Sequence, residues 1–285
     1  MLKKGKIHFF TGKGGVGKSL LSYTFAKELA SSGQKTLWIE FSQNPSINLV
    51  IGELQFKPQK ISENLQAATW NGEDCLQEFV KYSVKLRLIY ETFYRSKAMT
   101  ALIKAAPALR EIAFLGYITS HLRDVKPSLN YDQIVVDAPS TGHFLSCLKV
   151  PIALLDVSDF GPMGFHCKGI LEVLRNTEMT SIYNVFTSEP LVVSEYEFLT
   201  HELKKMNLTS KAWLNRALSS MVIQDLDKSM IIGHTPIQIQ NLMTIKSQQS
   251  EVVKKLNLSD LIVTELSPMD QLNLSIKKIV QDQMI

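Results

Sequence analysis

At 285 residues with 45% apolar side chains, the chain has the length of one large α/β domain or two small ones, and material for an ample core. Its formal net charge is only +4 and its basic residues are scattered, which argues against a nucleic-acid partner, and no run reaches the roughly 18 apolar residues of a membrane span. The basic N-terminus lacks the apolar segment of a signal peptide, and the three cysteines form no Cys-x-x-Cys pair, so we expect a reduced, cytoplasmic protein without a disulfide framework or a local zinc site.

The first predicted element is a short apolar strand over residues 7–10 that runs into a glycine-rich loop. Residues 12–19 read Gly-Lys-Gly-Gly-Val-Gly-Lys-Ser, which is the spacing of a phosphate-binding P-loop. The glycines allow backbone N–H groups to turn inward around a phosphate. Lys18 can reach the β- and γ-phosphates, and the Ser19 hydroxyl can hold Mg²⁺. A helix with an apolar face follows, so the loop has the strand–loop–helix context that the motif requires.

The loop therefore predicts a bound nucleotide. The residues expected to contact it here are Gly12, Gly14, Gly15, Val16, Gly17, Lys18, Ser19 and Leu20. Lys13 is unusual, because a P-loop has no need of a second cation at its start.

Further short apolar runs alternate with helical stretches, which predicts a doubly wound, mostly parallel sheet. The predicted strands cover residues 7–10, 36–39, 134–136, 152–155, 183–186, 213–214 and 261–263. Glu40, Asp137 and Asn215 each fall at a strand end, on the edge of the sheet where ligands bind.

The long stretch between the second and third strands has helical periodicity in many places. We predict a helical subdomain at about residues 50–130, inserted into a single P-loop domain over residues 1–285. A cluster of Met99, Leu102 and Ile103 lines a groove there or, as is more common for apolar stripes, packs into the core. Near the C-terminus, Ile276 and its neighbours favour a helix docked on the sheet over a helix lying on a membrane surface.

Asp137 ends an apolar strand and is followed by Ala-Pro-Ser-Thr-Gly-His. In P-loop NTPases a carboxylate at this position holds Mg²⁺. Together with Ser19, Asp137 is the predicted metal ligand, and ATP or ADP with Mg²⁺ is the predicted cofactor.

These motifs resemble one family. The Lys13–Ser19 run is similar to the deviant, signature-lysine Walker A motif of the arsenite-pump ATPase, the tail-anchored-protein-targeting ATPase, MinD and ParA. The element from Asp137 to His143 resembles the arsenite-pump and tail-anchored-targeting branch in particular. Residues 107–111 resemble a Pro-Gly-x-x-Glu element of that branch, with Ala108 in place of the glycine.

The resemblance implies further residue roles. In the family two subunits close face to face over two ATP molecules, so Lys13 is expected to reach the phosphates of the partner subunit. A cation supplied in trans stabilises charge on the transferred phosphoryl group, as an arginine finger does. Asn215 occupies the adenine-contact position of the family, and Arg216 and Pro268 complete the expected nucleotide contacts.

The first switch departs from the family pattern. The family commonly has an Asp at the position of Ser42, where it activates the attacking water, and a serine needs a partner to act as a base near neutral pH. Glu40 lies two residues before Ser42 and so faces the same side of an extended chain. Glu40 either substitutes as the base or supports Mg²⁺ and the structure. A Glu here also resembles paired members that work as heterodimers, and we expect Lys13, Lys18, Glu40 and Ser42 to carry a slow hydrolysis.

Three functions remain open on the sequence. The first is a homodimeric or heterodimeric, nucleotide-switched ATPase that serves a membrane-protein partner or client. The second is a MinD- or ParA-like positioning ATPase, which needs a membrane-binding helix or a basic patch. The third is a weakly catalytic, ATP-binding regulatory subunit. The single P-loop excludes a tandem two-site enzyme within this chain, and without a Cys-x-x-Cys pair the zinc clamp of the eukaryotic targeting dimer is not expected.

Overall fold

The computed structural model describes residues 5–42, 52–83, 108–125, 128–157, 160–218, 236–256, 261–265 and 276–281. Its strands are β1 (Lys6–Gly12), β2 (Thr36–Phe41), β3 (Gln59–Lys60), β4 (Leu65–Trp70), β5 (Gln133–Ser140), β6 (Thr180–Phe186), β7 (Lys211–Ala217) and β8 (Ile262–Glu265). Its helices are α1 (Lys18–Ser31), α2 (Gly72–Ser83), α3 (Ala108–Thr119), α4 (Thr141–Val157), α5 (Gly161–Arg175), α6 (Pro190–Lys205) and α7 (Pro236–Leu256). A 3₁₀ turn at Ser120–Leu122 follows α3.

The described strands form one eight-stranded sheet in the order β3-β4-β2-β5-β1-β6-β7-β8. Neighbouring strands pair in parallel except for β3 with β4. The predicted doubly wound α/β fold is therefore confirmed. The strand β1 lies between β5 and β6, so the loop that follows it opens at the centre of the carboxyl edge, where such sheets bind ligands.

Two apolar layers cover the sheet, one on each face. Phe9 and Ile39 belong to one buried cluster, whereas their neighbours Phe10 and Trp38 belong to the other. This alternation follows from the two-residue period of a strand. Because both layers are apolar, the central strands read as continuous apolar runs, which is typical of parallel strands covered by helices on both sides.

Two sequence predictions are wrong. Residues 152–155 are not a strand but part of α4, which continues through Pro151. The predicted helical insertion at residues 50–130 is wrong for residues 59–70, because β3 and β4 extend the sheet there. Its described remainder includes α2 and α3, and its identity as a subdomain stays a prediction. The cluster of Met99, Leu102 and Ile103 lies outside the described residues.

The C-terminal prediction concerns residues 276–281, which are helical. Ile276 and Val280 are buried in the same apolar cluster as Phe10 and Trp38, so this segment docks on the sheet as expected. Among the helices described, none combines the length and the apolar character that crossing a membrane requires.

Candidate nucleotide site

The P-loop connects β1 to α1, and two of its glycines are required by close contacts. A Cβ at Gly12, where φ is +138°, would collide with the Val185 carbonyl group. A Cβ at Gly17, where φ is +93°, would lie 2.5 Å from the side-chain nitrogen of Asn215. Gly14 and Gly15, in contrast, border open space. The loop is thus held tightly at its two ends and is open in the middle, as a phosphate cradle requires.

The two lysines of the loop have different surroundings. The Lys18 ammonium donates a hydrogen bond of 2.9 Å to the Lys13 carbonyl oxygen. Burial lowers the pKa of Lys18, while the carboxylates of Asp137 and Glu195 act in the opposite direction. The Lys13 ammonium lies 3.8 Å from the Glu195 carboxylate, on α6. Lys18 lines the central cavity, but Lys13 is not among the described residues that do so.

The predicted metal ligands lie together. Asp137 pairs in register with Phe10 of β1 and with Glu40 of β2, and it is buried. Burial raises the pKa of Asp137 to about 7, with a further contribution from Glu40, while a hydrogen bond from Ser19 and the charge of Lys18 lower it. A buried carboxylate beside a second carboxylate and a hydroxyl is a set of hard oxygen donors, which is what Mg²⁺ prefers. Ser19, Asp137 and Glu40 therefore fit a magnesium ion.

The predicted first switch begins at the end of β2. Glu40 is 3% exposed, and it lines the cavity together with Ser42. The Ser42 backbone N–H donates to the Trp70 carbonyl oxygen over 3.0 Å, so β4, which the sequence did not predict, fixes the position of this switch. Among the described residues that line the cavity with Ser42, the carboxylates are those of Glu40, Asp137 and Glu111.

Asn215 makes a contact that the sequence did not predict. Its side-chain amide donates a buried hydrogen bond of 2.8 Å to the Val16 carbonyl oxygen, so it contacts the P-loop itself. Arg216 follows in the left-handed region, with φ of +57°. Leu20 is 38% exposed at the start of α1. Pro268 lies outside the described residues. The adenine contact of Asn215 stays a prediction.

These elements surround a cavity of about 520 Å³. Beside the predicted residues, its wall includes Asn71, Gly72, Arg110 and Glu111, which the site prediction missed. Asn71 caps α2, because its side-chain oxygen accepts a hydrogen bond of 2.9 Å from the Asp74 N–H. An Asn before a helical stretch is a recognisable start signal, but nothing in the local sequence indicates that the cap borders a nucleotide site.

A comparison with known protein families assigns the chain to one of them. The model of the anion-transporting ATPase family matches residues 5–158, a stretch that runs from β1 to the end of α4. This is more than half of the chain and includes the P-loop and Asp137. The chain belongs to the anion-transporting ATPase family.

Proteins with similar sequences come from several bacteria. The ATPase BagA of Mycobacterium tuberculosis is 29% identical over 212 residues, which are 71% of this chain and 62% of BagA. A putative arsenical pump-driving ATPase of Aquifex aeolicus is 32% identical over 148 residues, or 50% of this chain and 48% of the relative. An arsenical pump-driving ATPase of Escherichia coli is 28% identical over 195 residues, which are 62% of this chain and 31% of that relative. The matched part is thus less than two thirds of each relative's length.

Proposed function

We propose that this chain is a nucleotide-switched ATPase that binds Mg-ATP, closes as a dimer with a second copy or a related ATPase, and serves a membrane-protein partner or client. One observation carries the proposal. The P-loop, the Asp137 carboxylate and the first switch all border one cavity. The wall of that cavity also includes Arg110 and Glu111 of α3. A change in the bound phosphate can therefore act directly on α3, a helix that is not part of the P-loop.

Within the site we assign roles by chemistry. Lys18 and the loop N–H groups bind the β- and γ-phosphates, and Ser19 and Asp137 hold Mg²⁺. Bound Mg²⁺ supplies charge neutralisation at the phosphates. Glu40 orients the attacking water or supports the metal. Asn215 fixes the P-loop through Val16.

The role of Lys13 in trans is supported by its position. The Lys13 ammonium points to Glu195 and stands outside the lining of its own cavity. Lys13 is 36% exposed, and exposed ion pairs contribute only about 0–1 kcal/mol. The side chain can therefore leave Glu195 at low cost and reach the phosphates of a subunit that closes over it.

Nucleotide binding tests the proposal first. We expect titration with a fluorescent ATP analogue to give saturable, Mg²⁺-dependent binding by the wild type and by Lys13→Ala, and at least a tenfold loss of affinity in Lys18→Ala. Lys27→Ala, an exposed lysine on α1, is the matched control and should bind as the wild type does. Equal binding by the Lys18→Ala and Lys27→Ala variants would contradict the assignment.

Dimer closure is tested by sedimentation with ATP, with ADP and without nucleotide. We expect the wild type to gain mass only with ATP, and Lys13→Ala to stay unchanged although it still binds ATP. A sedimentation coefficient that is independent of nucleotide in the wild type, alone or mixed with a related ATPase of the same organism, would contradict the dimeric switch.

A second candidate function is a regulatory subunit with little turnover. Ser42 favours it, because a serine replaces the switch carboxylate that the resemblance implies. In this case ATP should remain intact on the protein over a long incubation with Mg²⁺. Rapid ADP release would exclude it.

A further inference from the structure

A mixed group of side chains lies between α3 and α4. Glu111 of α3 and His143 and Cys147 of α4 each offer one ligand atom, and these atoms all lie within 4.8 Å of one another. We propose that the three residues form a binding site for a divalent transition-metal cation, with Zn²⁺ as the best match. This site is distinct from the magnesium position at Ser19 and Asp137, and it does not depend on the proposed nucleotide binding.

The chemistry of the three side chains selects the class of cation. A carboxylate, an imidazole and a thiolate are the donors that Zn²⁺ combines in proteins, whereas Mg²⁺ and Ca²⁺ take oxygen ligands. Three protein ligands with a fourth position for water is a common zinc arrangement. These donors are softer than the oxygen donors at Asp137, so the two positions select different cations.

The backbone already presents the side chains in the required arrangement. His143 and Cys147 are four residues apart on α4, so they project from one face of the helix. Zinc bond lengths of 2.0–2.3 Å place neighbouring ligand atoms about 3.3–3.8 Å apart in a tetrahedron. The two helices already pack together, and ligand atoms that are at most 4.8 Å apart are within about 1.5 Å of that separation.

An unpaired buried atom gives independent support. One carboxylate oxygen of Glu111 is enclosed and accepts no hydrogen bond from the described residues. Cys147, which is 2% exposed, lies beside it. An enclosed carboxylate oxygen without a donor is costly, and so is the Cys147 thiolate that zinc requires. A cation between them removes both costs.

The location gives the site a consequence for the nucleotide cavity. Glu111 and His143 also line that cavity, and α4 begins directly after β5, which carries Asp137. A cation at this point ties α3 to the segment that follows the magnesium ligand. By linkage, if the cation changes the nucleotide affinity by some factor, the nucleotide changes the cation affinity by the same factor.

Cobalt substitution tests the site directly. The full-length chain, treated with a chelator and titrated with Co²⁺ alone, should develop a thiolate-to-cobalt charge-transfer band that saturates at one equivalent, and Zn²⁺ should abolish it. Cys147→Ser should lose the band, and Cys167→Ser, a buried cysteine outside the group, should keep it. His143 is exposed, so His143→Gln is expected to fold, and it should weaken Co²⁺ binding at least about tenfold.

Two further measurements separate the possible results. Zn²⁺ at about a hundred times its Kd should raise the Tm of the wild type by about 5 °C and leave that of His143→Gln almost unchanged. Lys18→Ala should keep the cobalt band, so a failure of nucleotide binding does not affect this test. No band in the wild type, a band that persists in Cys147→Ser, or unchanged Co²⁺ affinity in His143→Gln would overturn the proposal.

Discussion

Replacing Asn215 distinguishes two possible roles of its side chain, which are to hold the P-loop in place and to contact adenine. In Asn215→Ala the buried donor to Val16 is lost, and a buried carbonyl left without a partner costs about 1–3 kcal/mol. If the P-loop must hold its described conformation to bind phosphate, that cost appears as about 5- to 150-fold weaker binding. A residue that only contacts adenine would leave the P-loop, and therefore phosphate binding, unchanged.

Calorimetric titration with ADP and with pyrophosphate distinguishes these roles, because pyrophosphate has neither base nor sugar. We expect Asn215→Ala to weaken both ligands by a similar factor. Thr180→Ala is the matched control, since Thr180 is also buried and its hydroxyl donates to the Val173 carbonyl oxygen over 2.8 Å, and it pairs with Ile7 at the end of β1 opposite to the P-loop. It should lose stability to urea without losing ligand affinity. Unchanged pyrophosphate binding in Asn215→Ala would refute the reasoning.

The remaining predictions concern pH and turnover. Burial is the main reason that the pKa of His8 is lowered to about 3; the charges of Lys6 and Lys211 act in the same direction, and a hydrogen bond with Gln133 opposes them. In the unfolded chain His8 titrates near 6.5. The contribution of neutral His8 to stability is therefore complete above pH 6.5 and is lost as the pH falls towards 3. At pH 5 this loss is about 2 kcal/mol of the free energy of unfolding. Measured by urea unfolding, the free energy of unfolding of His8→Gln should therefore fall by about 2 kcal/mol less between pH 7 and pH 5 than that of the wild type. An equal fall in the two proteins would contradict this prediction. Ser42→Asp should raise the rate of phosphate release, whereas Ser42→Ala should not change it. If the wild type releases phosphate fast and Ser42→Asp does not change that rate, Ser42 is not the cause of slow hydrolysis.

Strong local signals predicted the centre of the fold. The P-loop and Asp137 are each adjacent to an apolar strand, and the parallel register of the sheet brings them together, which follows from the alternation of strands and helices. The strand predicted at residues 152–155 fails because a short apolar run has no period that separates a buried strand from one side of a helix. A proline usually ends or kinks a helix, but Pro151 lies within α4.

What the sequence did not predict depends on contacts between distant segments. The strand β4 contains Gln66 and two alanines, which are weak strand formers, and pairing with β2 holds it in place. The approach of Glu111 to Cys147 depends on the packing of α3 against α4. The group contains a single cysteine, so no Cys-x-x-Cys pattern marks it in the sequence.

Mixing two inactive variants tests the dimeric switch most directly. The Lys13→Ala variant retains Lys18, and the Lys18→Ala variant retains Lys13. If Lys13 acts across the interface, a mixed dimer therefore has one complete site, formed by Lys18 of the first variant and Lys13 of the second. We expect each variant alone to release almost no phosphate, and an equimolar mixture to recover up to about a quarter of the wild-type rate, because half of the dimers are mixed and each has one working site. A mixture no more active than its separate components would contradict the action of Lys13 in trans.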